Sequence, residues 1–271
     1  MSTRVQQLFG RLRAEQEKAL IGYLPVGDPD LDGSYHRCRA ALEAGLDALE
    51  LGVPYSDPLA DGPVIQAAGS RALAAGFRLD WLWLQVERLR RDFPGPPLAV
   101  MTYINPVIQY GPESFVRHLA QAGADALIVP DLPGEESAEL EAICRRYEVA
   151  RIPFVAPTTP PERMRQILSQ AEGFVYCVSV TGVTGQRQAE EWAAQAASVR
   201  HLVHSVRQAA AGLPVCLGFG IASGADVQRL AAEADGVIVG SALIMAAQEG
   251  RLPPLVAELK QATLPESRWK G

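Results

Sequence analysis

The sequence has few of the side chains that covalent or metal-assisted catalysis needs. Lysine occurs only as Lys18, Lys260 and Lys270, and there are four histidines and four cysteines in 271 residues. No lysine follows a candidate strand, so a Schiff-base or pyridoxal enzyme would lack its nucleophile. The histidines fall in helical patterns without nearby carboxylates, and the cysteines form no C-x-x-C pair. We therefore expect no metal site and four buried, reduced thiols.

The sequence also lacks an apolar run of the roughly 20 residues that a membrane-spanning helix requires. Its N-terminal segment is a charge-rich helical pattern rather than a signal sequence. The formal net charge of −6 provides no basic surface for nucleic acid. With 48% hydrophobic and 21% charged residues, the composition is that of a folded globular protein. We expect a cytoplasmic protein that binds neither nucleic acid nor a membrane.

Eight short apolar runs alternate with amphipathic segments, which predicts a parallel sheet with right-handed crossovers. Eight such units favour a closed (β/α)8 TIM barrel of the α/β class, although the count alone leaves an open doubly wound sheet possible. No linker divides the chain, so residues 1–271 are expected to form one domain with an N-terminal helix. The candidate strands are Ala19–Leu24, Ala48–Leu51, Leu98–Tyr103, Ala126–Val129, Ala150–Val155, Phe174–Val178, Pro214–Leu217 and Gly236–Val239. The helical patterns between them are Ser34–Ala44, Ile65–Ala75, Trp81–Asp92, Glu113–Ala122, Glu135–Tyr147, Pro161–Gln170, Glu190–Ala210 and Gly224–Ala232.

The segment Ala48–Gln66, ALELGVPYSDPLADGPVIQ, places two carboxylates near the end of one candidate strand. Glu50 lies within the apolar run, and Asp61 lies in the Gly/Pro-rich loop that follows. An unpaired carboxylate in a buried strand costs several kcal/mol, so its presence favours acid/base catalysis. Two structural alternatives remain: Glu50 could be a core carboxylate bonded to a Tyr or Thr of a neighbouring strand, and Asp61 could only form an Asx-turn before Gly62.

Glycine-rich turns follow candidate strands seven and eight, at Gly218–Gly224 and at Gly240. Glycines let backbone N–H groups approach an anion, and a helix beginning at Ser241 would add the positive end of its dipole. TIM barrels commonly hold phosphate in these two loops, although tight turns alone would also need glycine. Thr184 and Gly185, after strand six, could close over the same ligand as a lid. Two carboxylates together with these glycine-rich turns suit proton transfer on an aromatic or sugar phosphate without a cofactor.

The chain resembles the α chain of tryptophan synthase from about residue 18 to about residue 260. The resemblance implies a lyase that cleaves indole-3-glycerol phosphate to indole and D-glyceraldehyde 3-phosphate by a retro-aldol reaction, in L-tryptophan biosynthesis. It also implies no cofactor in this chain, and a β-chain partner that carries pyridoxal phosphate in an α2β2 complex. Besides Ala48–Gln66, the matching segments are GYLPVGDPD at 22–30, MTYINPVIQYG at 101–111, VPDLPGEES at 129–137, TGVTG at 181–185, GFGI at 218–221 and GSALI at 240–244.

The resemblance assigns roles to individual residues. Glu50 is expected to transfer protons at the glycerol hydroxyl and at indole C3, Asp61 to bond the indole N–H, and Tyr176 to stand beside Glu50. The residues expected to bind the rest of the substrate are Tyr23, Ile65, Met101, Tyr103, Ile128, Thr184, Phe219 and Ile238. The expected phosphate ligands are Gly185, Gly220, Gly240 and Ser241, and the expected contacts with the β chain are Pro54, Asp57, Pro58 and Asn105.

The chain departs from the family pattern in its first strand and in one helix. Tyr23 stands where Phe is frequent, Pro25 stands where Thr is common, and the Glu190–Ala210 region is longer. Two other hypotheses remain at this point: a sugar-phosphate isomerase or epimerase on the same barrel, and a non-catalytic barrel that activates a β chain. Only the lyase would release free indole from indole-3-glycerol phosphate.

Overall fold

The computed structural model describes residues 3–178, 189–210, 212–218 and 220–265, with side chains throughout except at 189–196. Within these residues there are nine strands, all parallel to their neighbours. The strands are β1 Ala19–Pro25, β2 Ala48–Gly52, β3 Leu98–Met101, β4 Ala126–Ile128, β5 Ala150–Arg151, β6 Phe154–Val155, β7 Val175–Val178, β8 Val215–Gly218 and β9 Gly236–Val239.

Helices follow the strands on the outside of the sheet, except the first helix, which precedes β1. Their bounds are α1 Arg4–Glu15, α2 Leu31–Glu43, α3 Pro63–Ala74, α4 Leu79–Asp92, α5 Ile104–Tyr110, α6 Pro112–Ala122, α7 Ala138–Arg146, α8 Pro161–Leu168, α9 Ala189–Ala209, α10 Gly224–Ala231, α11 Ser241–Gln248 and α12 Leu252–Ala262, with a 3-10 turn at Gly134–Glu136. In the part of the chain described, no helix is both long and apolar enough to cross a membrane. All four cysteines are buried free thiols, as expected.

The sheet closes into the predicted barrel through one interrupted strand. The strand order is β5-β4-β3-β2-β1-β9-β8-β7-β6, so the two edges are consecutive segments of the predicted strand Ala150–Val155. The interruption falls at Pro153, which has no N–H to donate to a ladder. The Ile152 N–H still donates to Leu127 O at 3.0 Å, and the Tyr176 N–H donates to Pro153 O at 2.9 Å. The prediction of a (β/α)8 TIM barrel is confirmed, with its fifth strand split in two.

The strands pack on two separate layers of side chains. On β2, Leu49 and Leu51 belong to the layer between the sheet and the helices, whereas Ala48 belongs to the layer inside the barrel. Because side chains alternate along a strand, Glu50 shares the inner face with Ala48 and Gly52. The alternation therefore turns the one charged side chain of β2 towards the barrel axis.

Helix α1 covers the end of the barrel at which the strands begin. Its residues Val5, Leu8 and Phe9 belong to the same apolar cluster as the inner side chains of the strands. The rings of Phe9 and Phe174 lie 5.9 Å apart. The predicted N-terminal helix is thus present and seals the floor beneath Glu50 from solvent.

Candidate active site

A cavity of about 690 Å³ opens at the carboxyl ends of the strands. Ligand sites of TIM-barrel enzymes lie at this face, because the βα loops converge there. The structure brings nine of the predicted site residues to its walls: Tyr23, Asp61, Ile65, Met101, Tyr176, Gly220, Ile238, Gly240 and Ser241. Catalytic, substrate-binding and phosphate-binding candidates therefore share one space.

Glu50 lies below this cavity, fully buried inside the barrel. It lines a small hollow together with Phe9, Ile21, Ala99 and other apolar residues. Neither carboxyl oxygen has a hydrogen-bond partner among the described residues, so the alternative of a core carboxylate satisfied by a Tyr or Thr finds no support there. Burial, and to a lesser degree the charge of Asp61, raises the pKa of Glu50 from 4.5 to about 8. A protonated carboxyl at neutral pH is suited to act as a general acid.

Asp61 approaches the cavity from the loop between β2 and α3. An Asx-turn would need an N–H two positions further on, and that position is Pro63, which has none. Burial raises the pKa of Asp61 to about 6, although a hydrogen bond from the Tyr103 hydroxyl lowers it. The Asp61 carbonyl also accepts a bond from Gln66 Nε2 at 2.8 Å. The carboxyl is therefore available to a ligand and is mostly ionised at neutral pH.

Two tyrosines stand beside Glu50, and each lies over a glycine. A Cβ at Gly52 would lie 2.1 Å from Tyr23 Oη, and one at Gly218 would lie 2.5 Å from Tyr176 Cε1. Burial raises the pKa of both phenols; the charges of Asp61 and then Glu50 add to this at Tyr23, and that of Glu50 adds most at Tyr176. Both hydroxyls consequently stay protonated and can donate hydrogen bonds in the site.

The far end of the cavity combines glycine backbone with a helix N-terminus. Helix α11 starts at Ser241, after Gly240, with no side chain capping it and no acidic residue in its first turn. Helix α10, by contrast, is capped by Ser223 and Asp226. Free N–H groups at the start of α11 provide donors and the positive end of the helix dipole, which is an anion-binding arrangement.

Some predicted site residues do not reach the cavity wall. Tyr103 lies behind Asp61, and Ile128 lines the lower hollow with Glu50. Of the predicted partner contacts, Asp57 and Asn105 are exposed and Pro58 is half-buried, whereas Pro54 is buried. Thr184, Gly185 and Phe219 lie outside the described residues.

Several lining residues were not predicted. Val129, Leu132, Ile221 and Ala222 follow strand ends, Val155 ends β6, and Met245 lies on α11. Position after a candidate strand was the available signal, since side chains at the carboxyl ends of parallel strands converge. Asp131, also on the wall, accepts the Ile104 N–H at 2.9 Å and so holds the start of α5.

Comparisons with known proteins identify the family of the chain. The family model for the tryptophan synthase alpha chain matches residues 9–265. The α chain of Desulfosudis oleivorans is 44% identical over 254 residues, covering 94% of this chain and 93% of the relative. That of Carboxydothermus hydrogenoformans is 46% identical over 242 residues, covering 89% and 88%. A structure of Mycobacterium tuberculosis tryptophan synthase superimposes with a TM-score of 0.89 at 40% identity, covering 98% of this chain and 100% of that one. The chain belongs to the tryptophan synthase α-chain family.

Proposed function

We propose that this chain cleaves indole-3-glycerol phosphate to indole and D-glyceraldehyde 3-phosphate, with Glu50 and Asp61 as its acid/base residues and no cofactor of its own. As a member of its family the chain is a lyase subunit of L-tryptophan biosynthesis. The observation that carries the residue assignment is the Glu50 carboxyl, fully buried and without a described hydrogen-bond partner, under a cavity that Asp61 also lines.

The two carboxyls suit the two halves of a retro-aldol reaction. Protonation of indole C3 lets the ring accept electrons, and removal of the side-chain hydroxyl proton then breaks the carbon–carbon bond. Glu50, protonated near neutrality, can do both in turn. Asp61, mostly ionised, would bond the indole N–H as positive charge develops on the ring. Glu50 must extend along the inner face of β2, past Gly52, to reach the substrate.

The walls suit the two ends of this substrate. Tyr23, Ile65, Met101 and Ile238 offer a largely apolar space for indole beside Asp61. Gly220, Gly240 and Ser241, at the start of α11, would hold the phosphate. We further assign Tyr176 a place beside Glu50, and by the resemblance Ile128, Thr184, Gly185 and Phe219 complete the substrate site.

We also propose a β-chain partner that carries the pyridoxal phosphate, in an α2β2 complex in the cytoplasm. The expected contacts at Pro54, Asp57, Pro58 and Asn105 lie on the β2–α3 loop and on α5. Large apolar side chains are exposed on the same two elements: Leu59 is 93% exposed and Ile108 59%. We take these two side chains as the apolar part of the proposed β-chain contact.

The decisive experiment is incubation of the purified chain with indole-3-glycerol phosphate and measurement of free indole. The wild type should release indole. Glu50→Gln should fold normally, and its kcat should be lower by roughly 10²–10⁴-fold. Glu43→Gln, at an exposed position on α2, is the matched control and should keep wild-type activity. Isomerised sugar phosphate without indole would favour the isomerase, and no turnover even with a β chain would favour the non-catalytic barrel.

A further inference from the structure

The Tyr103 hydroxyl contacts two consecutive residues of the loop between β2 and α3. It accepts the Ala60 N–H at 2.9 Å, which places it beside the next residue, Asp61, and as a hydrogen-bond donor it lowers the pKa of the Asp61 carboxyl. An ionised carboxylate can only accept, so the phenol donates its one proton to Asp61 and uses a lone pair for Ala60. Tyr103 is 3% exposed and immediately precedes α5, where the helix start fixes its backbone. The hydroxyl thus ties the loop to a rigid element.

A second tyrosine and an amide hold the Tyr103 ring in turn. The rings of Tyr55 and Tyr103 are stacked, with centroids 5.2 Å apart and planes at 29°. The Tyr55 hydroxyl accepts a hydrogen bond from Asn105 Nδ2 at 3.0 Å. Asn105 lies in the first turn of α5, two residues after Tyr103. The contacts therefore run from Tyr103 to Tyr55 and back to α5, the helix that Tyr103 immediately precedes.

We propose that Tyr103 is a positioning residue that fixes the Asp61 carboxylate for the lyase reaction, and that the Tyr55–Asn105 hydrogen bond locks the Tyr103 ring in place. We call Tyr103, Tyr55 and Asn105 the hydroxyl latch. The inference rests on the proposed function only in taking Asp61 to bond the substrate. It replaces the expected role of Tyr103 as part of the substrate wall.

The surroundings of Asp61 explain why such a latch is needed. Asp61 interacts electrostatically with Glu50, Tyr23, Tyr176 and Tyr103, none of which is a cation. Asp131 adds a further acid beside Tyr103. Burial disfavours the charged carboxylate, and the Tyr103 hydroxyl is the neighbour that stabilises it by a hydrogen bond. Without that bond, Asp61 would both ionise less readily and lose its fixed direction.

Tyr103→Phe tests the proposal because it removes one hydroxyl and keeps the ring. We expect kcat to fall about tenfold with KM within about twofold, since the lost interaction acts on a group that bonds the transition state. The acid limb of kcat/KM should move up by about one pH unit. Exchange of the Ala60 amide hydrogen, measured by NMR, should become faster because that N–H loses its acceptor.

Tyr110→Phe is the matched control. Tyr110 is the last residue of α5, the helix that Tyr103 precedes. Its hydroxyl bonds His118 Nδ1 at 2.6 Å, so the variant loses a hydrogen bond of α5 that does not reach Asp61. It should leave kcat, the acid limb and Ala60 exchange at wild-type values. If Tyr110→Phe had the same effect as Tyr103→Phe, the reaction would need only an intact α5, and the proposed role of the Tyr103 hydroxyl would be wrong.

Tyr55→Phe and Asn105→Ala test the lock while keeping the Tyr103 hydroxyl, and they serve if Tyr103→Phe does not fold. Each should change kcat, the acid limb and Ala60 exchange by a smaller factor than Tyr103→Phe. Because both substitutions remove the same Tyr55–Asn105 hydrogen bond, the double variant should be no worse than the more affected single variant. Wild-type kcat and acid limb in a folded Tyr103→Phe would overturn the proposal, as would a rise in KM alone, which indicates a substrate wall. If the wild type released no indole, the proposed function would fail, and Ala60 exchange would still decide whether Tyr103 holds the loop.

Discussion

Tyr23 on β1 is the register partner of Glu50 on β2. The phenol and the carboxyl are therefore neighbours on the inner face of the barrel, and both are buried. The Glu50 oxygens have no hydrogen-bond partner among the described residues, and the pKa values of both side chains are raised. Both groups consequently hold their protons at neutral pH, Glu50 beneath the cavity and Tyr23 on its wall.

The pH dependence of indole release should be bell-shaped. Catalysis needs ionised Asp61, whose pKa is about 6, and protonated Glu50, whose pKa is about 8. Activity should therefore rise as pH increases through about 6 and fall as it increases through about 8, which kcat/KM from pH 5 to 9 measures. Asp61→Asn should remove the acid limb. A profile that keeps rising to pH 9 would contradict the role of protonated Glu50.

Conformational stability should fall with pH because of Glu50. Its pKa rises from 4.5 to about 8 on folding, so between these values the folded state binds the proton more tightly than the unfolded state. The stabilisation is complete below about pH 4.5 and is lost as pH rises through about 8. Glu50→Gln should thus gain a few kcal/mol over the wild type between pH 5 and pH 9 in urea unfolding. A constant difference between the two proteins across this range would be the contrary result.

Gly52→Ala should be destabilising and should displace Tyr23. The added Cβ would lie 2.1 Å from Tyr23 Oη and 2.4 Å from Cζ, so the ring must move. We expect a loss of about 1–3 kcal/mol in the free energy of unfolding, with part of it restored in Gly52→Ala/Tyr23→Leu. Gly69→Ala in α3 is the control: nothing lies within 4 Å of its added Cβ, and it should stabilise the helix by about 0.5–1 kcal/mol. Equal effects of the two substitutions would show that Tyr23 does not occupy the space over Gly52.

Asp28→Asn should weaken the attachment of α3 to the barrel. The Asp28 carboxylate is buried; it accepts two bonds from Arg71, both at 2.8 Å, and one from Arg37 at 3.0 Å. Because the Arg71 side chain is 39% exposed, we expect a cost of about 2–3 kcal/mol rather than the full value for a buried pair. Urea unfolding measures it. Glu43→Gln, which breaks an exposed pair with Arg39, should cost about 0.3–0.5 kcal/mol.

The strand positions were predictable because strands buried on both faces read as apolar runs between helical patterns. The split of Ala150–Val155 was also visible in principle, since Pro153 cannot donate to a ladder and a proline inside an apolar run argues against a continuous strand. The predicted helix Glu135–Tyr147 starts later, at Ala138, because the Ser137 hydroxyl donates to Gly134 O and closes a separate 3-10 turn first. Local hydrogen bonds of this kind decide helix ends, and apolar periodicity does not report them.

The two carboxylates could be identified from the sequence because each stood in an unusual local context. The surroundings of these carboxylates could not be predicted from the sequence. The place of Glu50 below the cavity depends on side-chain direction inside a closed barrel, and the place of Tyr103 behind Asp61 depends on the path of a loop that starts on another strand. The exclusion of an Asx-turn at Asp61, by contrast, follows from Pro63 alone, because a proline two positions on leaves the Asp61 side chain without the N–H that such a turn needs.

The split fifth strand leaves one place in the barrel wall with few backbone hydrogen bonds. Two register pairs join β5 to β4, and two join β6 to β7, so side chains contribute much of the cohesion there. Among them, the Phe154 and Tyr176 rings are stacked with centroids 4.5 Å apart. Both rings line the cavity. A ligand bound there would therefore contact the two side chains that help to close the barrel.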